Sequence, residues 1–290
     1  MVVVMETEAP DSAVEAVIAH LVESGFDVHR SSGQTRTLLG VVGDVTPDDV
    51  AVVRELMFVA EVVRVSEPYK LASRRFRQAS TVVEGSWGSI GGERPWVAVE
   101  LIGLSVSSDD GPPSTELPYE VAAGRPFDAA VSRSRNAPES VGALTCLQLH
   151  PNAREREKPI AFVERAPSWG ANSWIGAAER ELSRRERSVV LLEAGGEYPN
   201  GARTLEVAAI ARAKIRTHLP IVVDVPTIAQ RARYCAAVAC AAIGAGADGV
   251  ILRAWVGREG ATPRVPATLS WLDAVSVAER VRAIGAAVRQ

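Results

Sequence analysis

The sequence predicts an α/β protein in two parts: a ferredoxin-like domain of βαββαβ order, followed by a TIM-type (β/α) barrel. Two patterns carry this prediction. Over residues 1–66, short β-rich runs alternate with two amphipathic helical segments. From about residue 95, each apolar strand-like run is followed by a helical segment. We therefore divide the chain into residues 1–66, a hinge and linker at 67–94, and a barrel at 95–290.

The first domain is predicted from the order of its elements. Gly25 is expected to end the first helix, and the Thr46-Pro47-Asp48-Asp49 sequence is expected to begin the second. The predicted strands are 2–5, 26–29, 37–42 and 62–65, and the predicted helices are 13–23 and 48–56. A sheet with two helices on one face could fold as a unit.

The barrel is predicted from nearly continuous apolar strands, which are typical of a parallel sheet covered by helices. Its predicted strands are 97–102, 128–132, 144–149, 159–163, 188–193, 220–224 and 249–253. Helices are expected to begin near Ser173, Thr204, Ile228 and Ser270. Seven strands are one fewer than a closed eightfold barrel needs. Either residues 117–122 form the eighth strand, or the barrel is incomplete or distorted.

Composition limits the functional classes. The 290 residues contain 32 basic and 35 acidic side chains spread along the chain, which leaves no basic footprint for nucleic acid or an anionic membrane. No apolar run is long enough to span a bilayer, and the first residues lack a secretory pattern, so we expect a cytoplasmic protein. Cys146, Cys235 and Cys240 lack CxxC spacing, which predicts neither a disulfide framework nor a zinc site.

Several segments resemble the short-form (type I beta) 3-deoxy-D-arabino-heptulosonate 7-phosphate (DAHP) synthases. The resemblance is strongest in Tyr69-Lys70-Leu71-Ala72-Ser73-Arg74-Arg75-Phe76, which is similar to the hinge between their regulatory domain and barrel. Other similar segments are 2–5, 25–29, 39–44, 218–224 and 245–249. The resemblance implies a ferredoxin-like domain that mediates assembly, and hence a homo-oligomer. It also implies an ancestral condensation of phosphoenolpyruvate with erythrose 4-phosphate at a divalent metal.

The metal ligands of that family are a cysteine, a histidine, a glutamate and an aspartate. By the resemblance, Ile102 stands at the cysteine position, Thr227 at the histidine and Arg253 at the glutamate. Trp255 replaces a neighbouring family histidine, and the aspartate region reads Arg264-Val265-Pro266. Aliphatic, hydroxyl and guanidinium groups do not replace anionic ligands. We therefore expect no metal and no cofactor.

The phosphate-binding motifs of the family are also altered. The segment from Arg133 to Pro138 keeps two positive charges, Arg133 and Arg135, from Lys-Pro-Arg-Thr-Ser-Pro. The Lys-Arg-Gly motif falls on Val163-Glu164-Arg165, or one residue later, and the Glu-Arg-Gly motif falls on Glu193-Ala194-Gly195. The loss of an arginine and the gain of a carboxylate predict weaker phosphate binding. After Pro138, the helix-strand-helix segment that the family would show is missing.

The predicted catalytic candidates are Glu193, Glu164, Asp224 and Arg253, which together with Arg165 are expected at or just past strand ends and facing one mouth. They could form structural ion pairs or include a reactive acid or base. The predicted substrate-binding residues are Trp255, Trp169, Trp174, Arg133, Arg135, Arg165 and Thr227. The tryptophans could fill space left by the missing segment or line an apolar pocket. Among the histidines, only His150 is placed at a strand end.

Three functional hypotheses follow. The first is a metal-independent relative of DAHP synthase, repurposed to bind and convert a different, partly apolar small molecule. The second is a non-catalytic regulatory or scaffolding partner of an active DAHP synthase paralogue. The third, residual DAHP synthase activity, requires a substitute metal site that the sequence does not show. Fold alone does not choose among them.

Overall fold

A computed structural model gives the fold of residues 1–32, 36–42, 45–63, 69–103, 123, 125–134, 138–149, 160–184, 188–257 and 263–288. Their contacts separate two compact units, residues 1–68 and residues 69–290. The predicted strand at 117–122, together with Arg135 and His150, lies outside the described residues. No helix in the described ranges is both long and apolar enough to cross a membrane.

The first unit has the predicted βαββαβ order. Its elements are β1 (Val2–Met5), α1 (Asp11–Glu23), β2 (Asp27–Ser32), β3 (Thr37–Val42), α2 (Pro47–Arg54) and β4 (Val59–Val63). The strands form one sheet of order β2-β3-β1-β4, in which every neighbouring pair is antiparallel. The ferredoxin-like prediction is confirmed, although β4 begins three residues earlier than expected.

Sequence signals explain both helices of this unit. Val14, Val17 and Leu21 lie on one face of α1 because of their spacing, and they are buried against the sheet. Helix α2 begins with a capping box, in which the side chains and backbone N–H groups of Thr46 and Asp49 bond reciprocally. Hydrogen bonding to Thr46 lowers the pKa of the Asp49 carboxyl. The predicted start of α2 is therefore correct.

The second unit contains β5 to β17 and α3 to α7. Its strands are β5 (Val83–Gly85), β6 (Gly88–Ile90), β7 (Trp96–Ile102), β8 (Ala129–Ser132), β9 (Ser140–Val141), β10 (Leu144–Gln148), β11 (Ile160–Glu164), β12 (Ser188–Glu193), β13 (Gly196–Glu197), β14 (Arg203–Thr204), β15 (Ile221–Asp224), β16 (Gly249–Trp255) and β17 (Leu269–Ser270). Its helices are α3 (Ala171–Leu182), α4 (Val207–Arg216), α5 (Val225–Ala229), α6 (Ala232–Gly244) and α7 (Trp271–Val288).

All seven predicted barrel strands are present. They are joined in parallel in the order β11-β12-β15-β16-β7-β8-β10, and β9 pairs antiparallel with β10. Strand β16 pairs with β7 and so joins the last of the seven strands to the first. Within the described ranges, no ladder joins β10 to β11, and the sheet is a curled half-barrel. The prediction of a TIM-type (β/α) fold is confirmed, and over the described ranges the curled half-barrel is consistent with an incomplete barrel; the alternative, an eighth strand at 117–122, lies outside those ranges.

The two faces of this sheet carry different cores. Helices cover the outer face, where Val99, Leu191 and Val223 pack with helix residues such as Trp174. The inner face buries Leu192, Val222 and Ile251, among others, with Val83 and Ile90 of the β5–β6 hairpin. Because side chains alternate along a strand, neighbouring residues at a strand end point to opposite faces. This alternation decides which predicted site residues can meet.

The segment that resembles the family hinge is anchored to the second unit. The Glu179 carboxylate of α3 accepts hydrogen bonds from the backbone N–H groups of residues 70–72 at 2.8–3.0 Å. The His218 ring lies with Nε2 2.6 Å from the Leu71 carbonyl oxygen and Nδ1 2.7 Å from Thr81 Oγ1. Nε2 therefore donates, because a carbonyl oxygen can only accept. Burial lowers the pKa of His218 despite this hydrogen bond.

Candidate functional site

Five charged residues at the carboxyl ends of barrel strands form the inner-face cluster: Glu100, Arg133, Glu164, Asp224 and Arg253. Strand register places them on one face. Glu164 pairs with Leu192, and Asp224 pairs with Ile251, and both partners belong to the inner core. Arg253 lies directly opposite Glu100. The carboxyl ends of barrel strands are where such folds build their sites.

Both arginines of the cluster are bound to carboxylates. Arg253 donates from Nε to Glu100 Oε2 at 2.9 Å and from Nη1 to the Pro266 carbonyl oxygen at 2.8 Å, and its Nη2 lies 2.8 Å from the same Glu100 oxygen as an ion-pair contact. Arg133 donates from Nη2 to Asp224 Oδ2 at 2.6 Å and from Nε to Glu100 Oε2 at 3.3 Å. Burial opposes the charge of Arg133, but Asp224 and Glu100 outweigh it and raise the pKa of its guanidinium. Glu100 thus joins the two arginines into one network.

Asp224 is the most buried acid of the cluster, with 1% of its surface exposed. Its Oδ2 accepts from Arg133 and, at 2.7 Å, from the hydroxyl of Thr227. Its Oδ1 is also buried, and no group among the described residues donates a hydrogen bond to it. A buried acceptor without a donor is unusual, because most buried polar atoms have a hydrogen-bond partner.

Glu164 differs from the other acids because its side chain is exposed at the end of β11. Its surroundings still remove part of its solvation, and this desolvation, followed by the charge of Asp224, raises the pKa of its carboxyl. Arg133 and Arg203 act in the opposite direction and do not cancel the effect. An accessible carboxyl with a raised pKa can exchange a proton closer to neutral pH than an ordinary glutamate.

The structure places Arg165 and Glu193 apart from this cluster, on the outer face. Glu193 pairs in register with Val223, which belongs to the helix-covered core. Arg165 donates to its two carboxylate oxygens at 2.5 and 2.7 Å, and to the Trp169 carbonyl oxygen at 2.8 Å. Arg165 is 2% and Glu193 0% exposed. The expectation that all charged strand-end residues face one mouth is therefore wrong for these two, because they alternate onto the other side.

The three candidate tryptophans also lie in different places. Trp255 is half-buried and in register with Ile102. A Cβ on Gly257 would lie 2.4 Å from Cζ2 of the Trp255 ring, and a Cβ on Gly103 would lie 2.6 Å from the Gly257 nitrogen, so neither position has room for a side chain. Trp169 packs partly buried against the helix-side core. Trp174 is fully buried in α3, and its indole N–H donates to the Val163 carbonyl oxygen at 2.8 Å. Of the three, Trp255 alone shares the face of the cluster.

The residues present do not fit the metal that the fold family implies. In the described ranges, no three His, Cys, Asp or Glu side chains are grouped so that they could hold a metal ion. At two of the matched positions, the Thr227 hydroxyl donates to Asp224 and the Arg253 guanidinium binds Glu100. A guanidinium has no lone pair to offer a cation and repels it.

Sequence reasoning missed Glu100 as a site residue. The signal was a single carboxylate in the otherwise apolar strand β7, whose other residues are Trp, Val, Ala, Leu and Ile. A charge in such a strand is costly to bury without a partner. Its two partners, Arg133 and Arg253, lie far away in sequence and could not be assigned from spacing.

Comparisons with known proteins agree with the fold. Residues 1–67 match the family model of the DAHP synthase ferredoxin-like domain. A curated phospho-2-dehydro-3-deoxyheptonate aldolase from Thermotoga maritima is 33% identical over 84 residues, which cover 29% of this chain and 25% of that protein. The matched region thus spans a quarter of the length of this curated relative.

Two solved structures are similar over longer stretches. The crystal structure of the Thermotoga maritima DAHP synthase superposes with a TM-score of 0.66 at 18% identity, covering 99% of this chain and 98% of that chain. A truncated form of the synthase from the same organism gives a TM-score of 0.63 at 16% identity, covering 77% of this chain and 98% of that chain. At these identities, the similarity establishes the fold and not the activity.

Proposed function

We propose that this chain, which is similar to the DAHP synthases by sequence in its ferredoxin-like domain and by fold in its barrel, binds a different small molecule. The ligand is partly apolar and binds at the inner-face cluster beside Trp255. Neither the metal nor the phosphoenolpyruvate of the family reaction takes part. This proposal separates the ancestry of the barrel from its present ligand.

The observation that carries the proposal is the pairing of both cluster arginines. Phosphate recognition depends on guanidinium groups that are free to form bidentate hydrogen bonds. Here Arg253 is bound to Glu100, and Arg133 is bound to Asp224 and Glu100. A phosphate would have to displace these carboxylates and then lie beside their negative charges. Phosphoenolpyruvate is therefore a poor ligand for this face.

The same face offers a route to conversion of the ligand. Glu164 is accessible and has a raised pKa, so it is suited to act as a general acid or base. Asp224 and Arg253 would position the ligand beside it, and Thr227 would hold the Asp224 carboxylate. Glu193 and Arg165 would act indirectly by fixing the ends of β11 and β12. Only groups that reach the ligand would be catalytic.

Thermal unfolding with millimolar phosphoenolpyruvate, with and without manganese, tests the proposal. A ligand at 100 times its dissociation constant stabilises the native state by about 2.7 kcal/mol, a readily measured shift. We expect no shift in either condition, and no DAHP formation when erythrose 4-phosphate is added. The Thermotoga maritima DAHP synthase, measured in parallel, is the positive control. A manganese-dependent shift of this chain would refute the loss of the ancestral site.

A second candidate function is a regulatory or scaffolding partner of an active DAHP synthase. It is favoured by the sequence match of residues 1–67 to the family's ferredoxin-like domain. Across the longer structural superpositions, which include the barrel, sequence identity is only 16–18%. Native mass spectrometry of this full chain, alone and mixed with a DAHP synthase from the same organism, would test it. Mixed oligomers with altered synthase activity would support the partner role. Separate homo-oligomers at equal concentrations would exclude it.

A further inference from the structure

The described charges of the inner-face cluster are unequal. Three carboxylates, those of Glu100, Glu164 and Asp224, face two guanidinium groups, those of Arg133 and Arg253. Both guanidinium groups are engaged with Glu100 or Asp224. Glu164 makes no ion pair within 4 Å among the described residues. Within the cluster the carboxylate in excess is therefore that of Glu164, next to Asp224, and Arg203 from outside the cluster offsets part of its charge.

Asp224 supplies a second, independent observation. Its side chain is almost completely buried, and its Oδ1 accepts no hydrogen bond from any described group. Water would satisfy such an atom on an exposed surface, but burial makes an unpaired acceptor costly. A ligand with an N–H or O–H donor would satisfy it, whereas a phosphate or carboxylate would bring further negative oxygens.

Glu164 is surrounded by charges that favour the same kind of ligand. Desolvation raises the pKa of its carboxyl most strongly, Asp224 and Glu193 raise it further, and Arg133 and Arg203 lower it. A cation bound nearby would favour the ionised form of Glu164. A metal ion is a poor candidate, because the described residues contain no group of three metal-ligating side chains. An ammonium group has no such coordination requirement and donates three hydrogen bonds.

The apolar part of the ligand has a surface on the neighbouring strand. Asp224 ends β15 in register with Ile251 of β16, and Trp255 ends β16 four residues beyond Ile251. The half-buried Trp255 lies in register with Ile102, and the edge of its indole ring lies against Gly257. An indole ring binds apolar groups and attracts cations at its face. Polar and apolar contacts thus lie on adjacent strands.

We infer that the ligand of the inner face is an organic amine, whose protonated nitrogen binds at Asp224 and Glu164 and whose apolar part packs on Trp255. This inference rests on the proposed function and specifies its ligand class. It reverses the charge preference that the ancestral reaction requires, from two phosphorylated anions to a cation. The reversal follows from paired arginines and an unpaired carboxylate oxygen.

Two probes of matched shape test the inference on the full chain. 2-Phenylethylamine carries an ammonium group, and 3-phenylpropionate carries a carboxylate at the same end of the same ring and linker. Isothermal titration calorimetry at pH 7.5 should show the amine binding at least tenfold more tightly than the acid. Glu164→Gln should weaken amine binding at least threefold, while Glu84→Gln, an exposed acid on the β5–β6 hairpin, should leave it unchanged.

Proton release gives a readout that a purely structural role of Glu164 would not produce. Amine binding near pH 5.5, measured in two buffers of different ionisation enthalpy, should release protons because the bound cation lowers the pKa of Glu164. Glu164→Gln should abolish that release. Asp224→Asn should also weaken binding, and its thermal unfolding would show whether the variant is folded.

The outcomes separate this inference from the proposed function. Preferential binding of 3-phenylpropionate, equal binding of both probes, or binding of neither at millimolar concentration would overturn the amine assignment. In those cases the proposed function is still judged by its own assay. A manganese-dependent response to phosphoenolpyruvate would overturn the proposed function itself, whatever the aromatic probes do.

Discussion

Replacing Arg165 with methionine tests whether the buried pair on the outer face stabilises the barrel. Arg165 gives Glu193 two hydrogen bonds, at 2.5 and 2.7 Å, and gives the Trp169 carbonyl oxygen a third at 2.8 Å. Hydrogen bonding to Glu193 and its charge raise the pKa of Arg165 although burial opposes them. In Arg165→Met, Glu193 keeps the Gly195 N–H donor at 2.9 Å but loses its counter-ion.

The expected magnitude follows from this burial. Removing one partner of a buried ion pair costs about 3–5 kcal/mol, because the remaining charge is uncompensated. For a domain of this size, 1 kcal/mol corresponds to about 2–4 °C in Tm, so Arg165→Met should lower the Tm by about 6–20 °C. Replacing both residues by methionine removes both charges and should recover much of the loss. The expected coupling energy between Arg165 and Glu193, measured from the two single variants and the double variant, is about 2 kcal/mol or more.

Tryptophan fluorescence during urea unfolding provides a selective assay. All six tryptophans lie in residues 69–290, so the signal reports on that unit. Arg184→Met is a matched control, because Arg184 pairs with Glu181 while 65% of the Arg184 side chain is exposed. The control should change the free energy of unfolding by about 0–1 kcal/mol. The reasoning would be refuted if Arg165→Met and the control lowered the free energy of unfolding equally. It would also be refuted if the losses at Arg165 and Glu193 were additive in the variant with both residues replaced.

Three further predictions concern other sites. Gly285→Ala should lower the free energy of unfolding by about 1–3 kcal/mol, because its new Cβ would lie 2.1 Å from Pro95 Cγ. Gly176→Ala, whose Cβ would meet nothing within 4 Å, should stabilise α3 by about 0.5–1 kcal/mol. Denaturant titration measures both, and the opposite order of stability would contradict the prediction. Because burial holds the pKa of His218 in the folded state below its unfolded value, the free energy of unfolding should fall as the pH drops from about 7.5 to 5.5. The same dependence of the free energy of unfolding on pH in His218→Gln would contradict this. Thr46→Ala should lower the free energy of unfolding of the first unit by about 1 kcal/mol, because it removes the capping box of α2. Unfolding followed by far-UV circular dichroism measures this, and no change would mean that the capping box does not stabilise the unit.

Local patterns were sufficient to predict most elements of the fold. The apolar runs of β12 and β15, for example, were assigned because a parallel strand covered on both faces is apolar throughout. Boundaries were less accurate. The helix expected near Ile228 is two helices, α5 and α6, separated where Gln230 adopts a positive φ of 56°. Sequence propensity does not predict that conformation in a glutamine.

The candidate site was predicted only in part. Arg133, Glu164, Asp224 and Arg253 were all proposed, and the structure brings them together on one face. Glu100 was not proposed, although it connects both arginines. Strand-end position alone did not show that adjacent residues would divide between two faces. The side on which each residue lies depends on register with strands elsewhere in the chain.

The sequence by itself determined the two-part fold, the seven barrel strands and the family resemblance, because these depend on periodicity and motifs within short segments. The tertiary structure alone decided which charges meet. Arg133 and Asp224 are 91 residues apart, and Arg253 and Glu100 are 153 apart. Their pairing requires the sheet to curl and the strands to align in one register. In that alignment Asp224 Oδ1 receives no hydrogen bond from the part of the chain that the structure describes, and the proposed amine ligand depends on this atom.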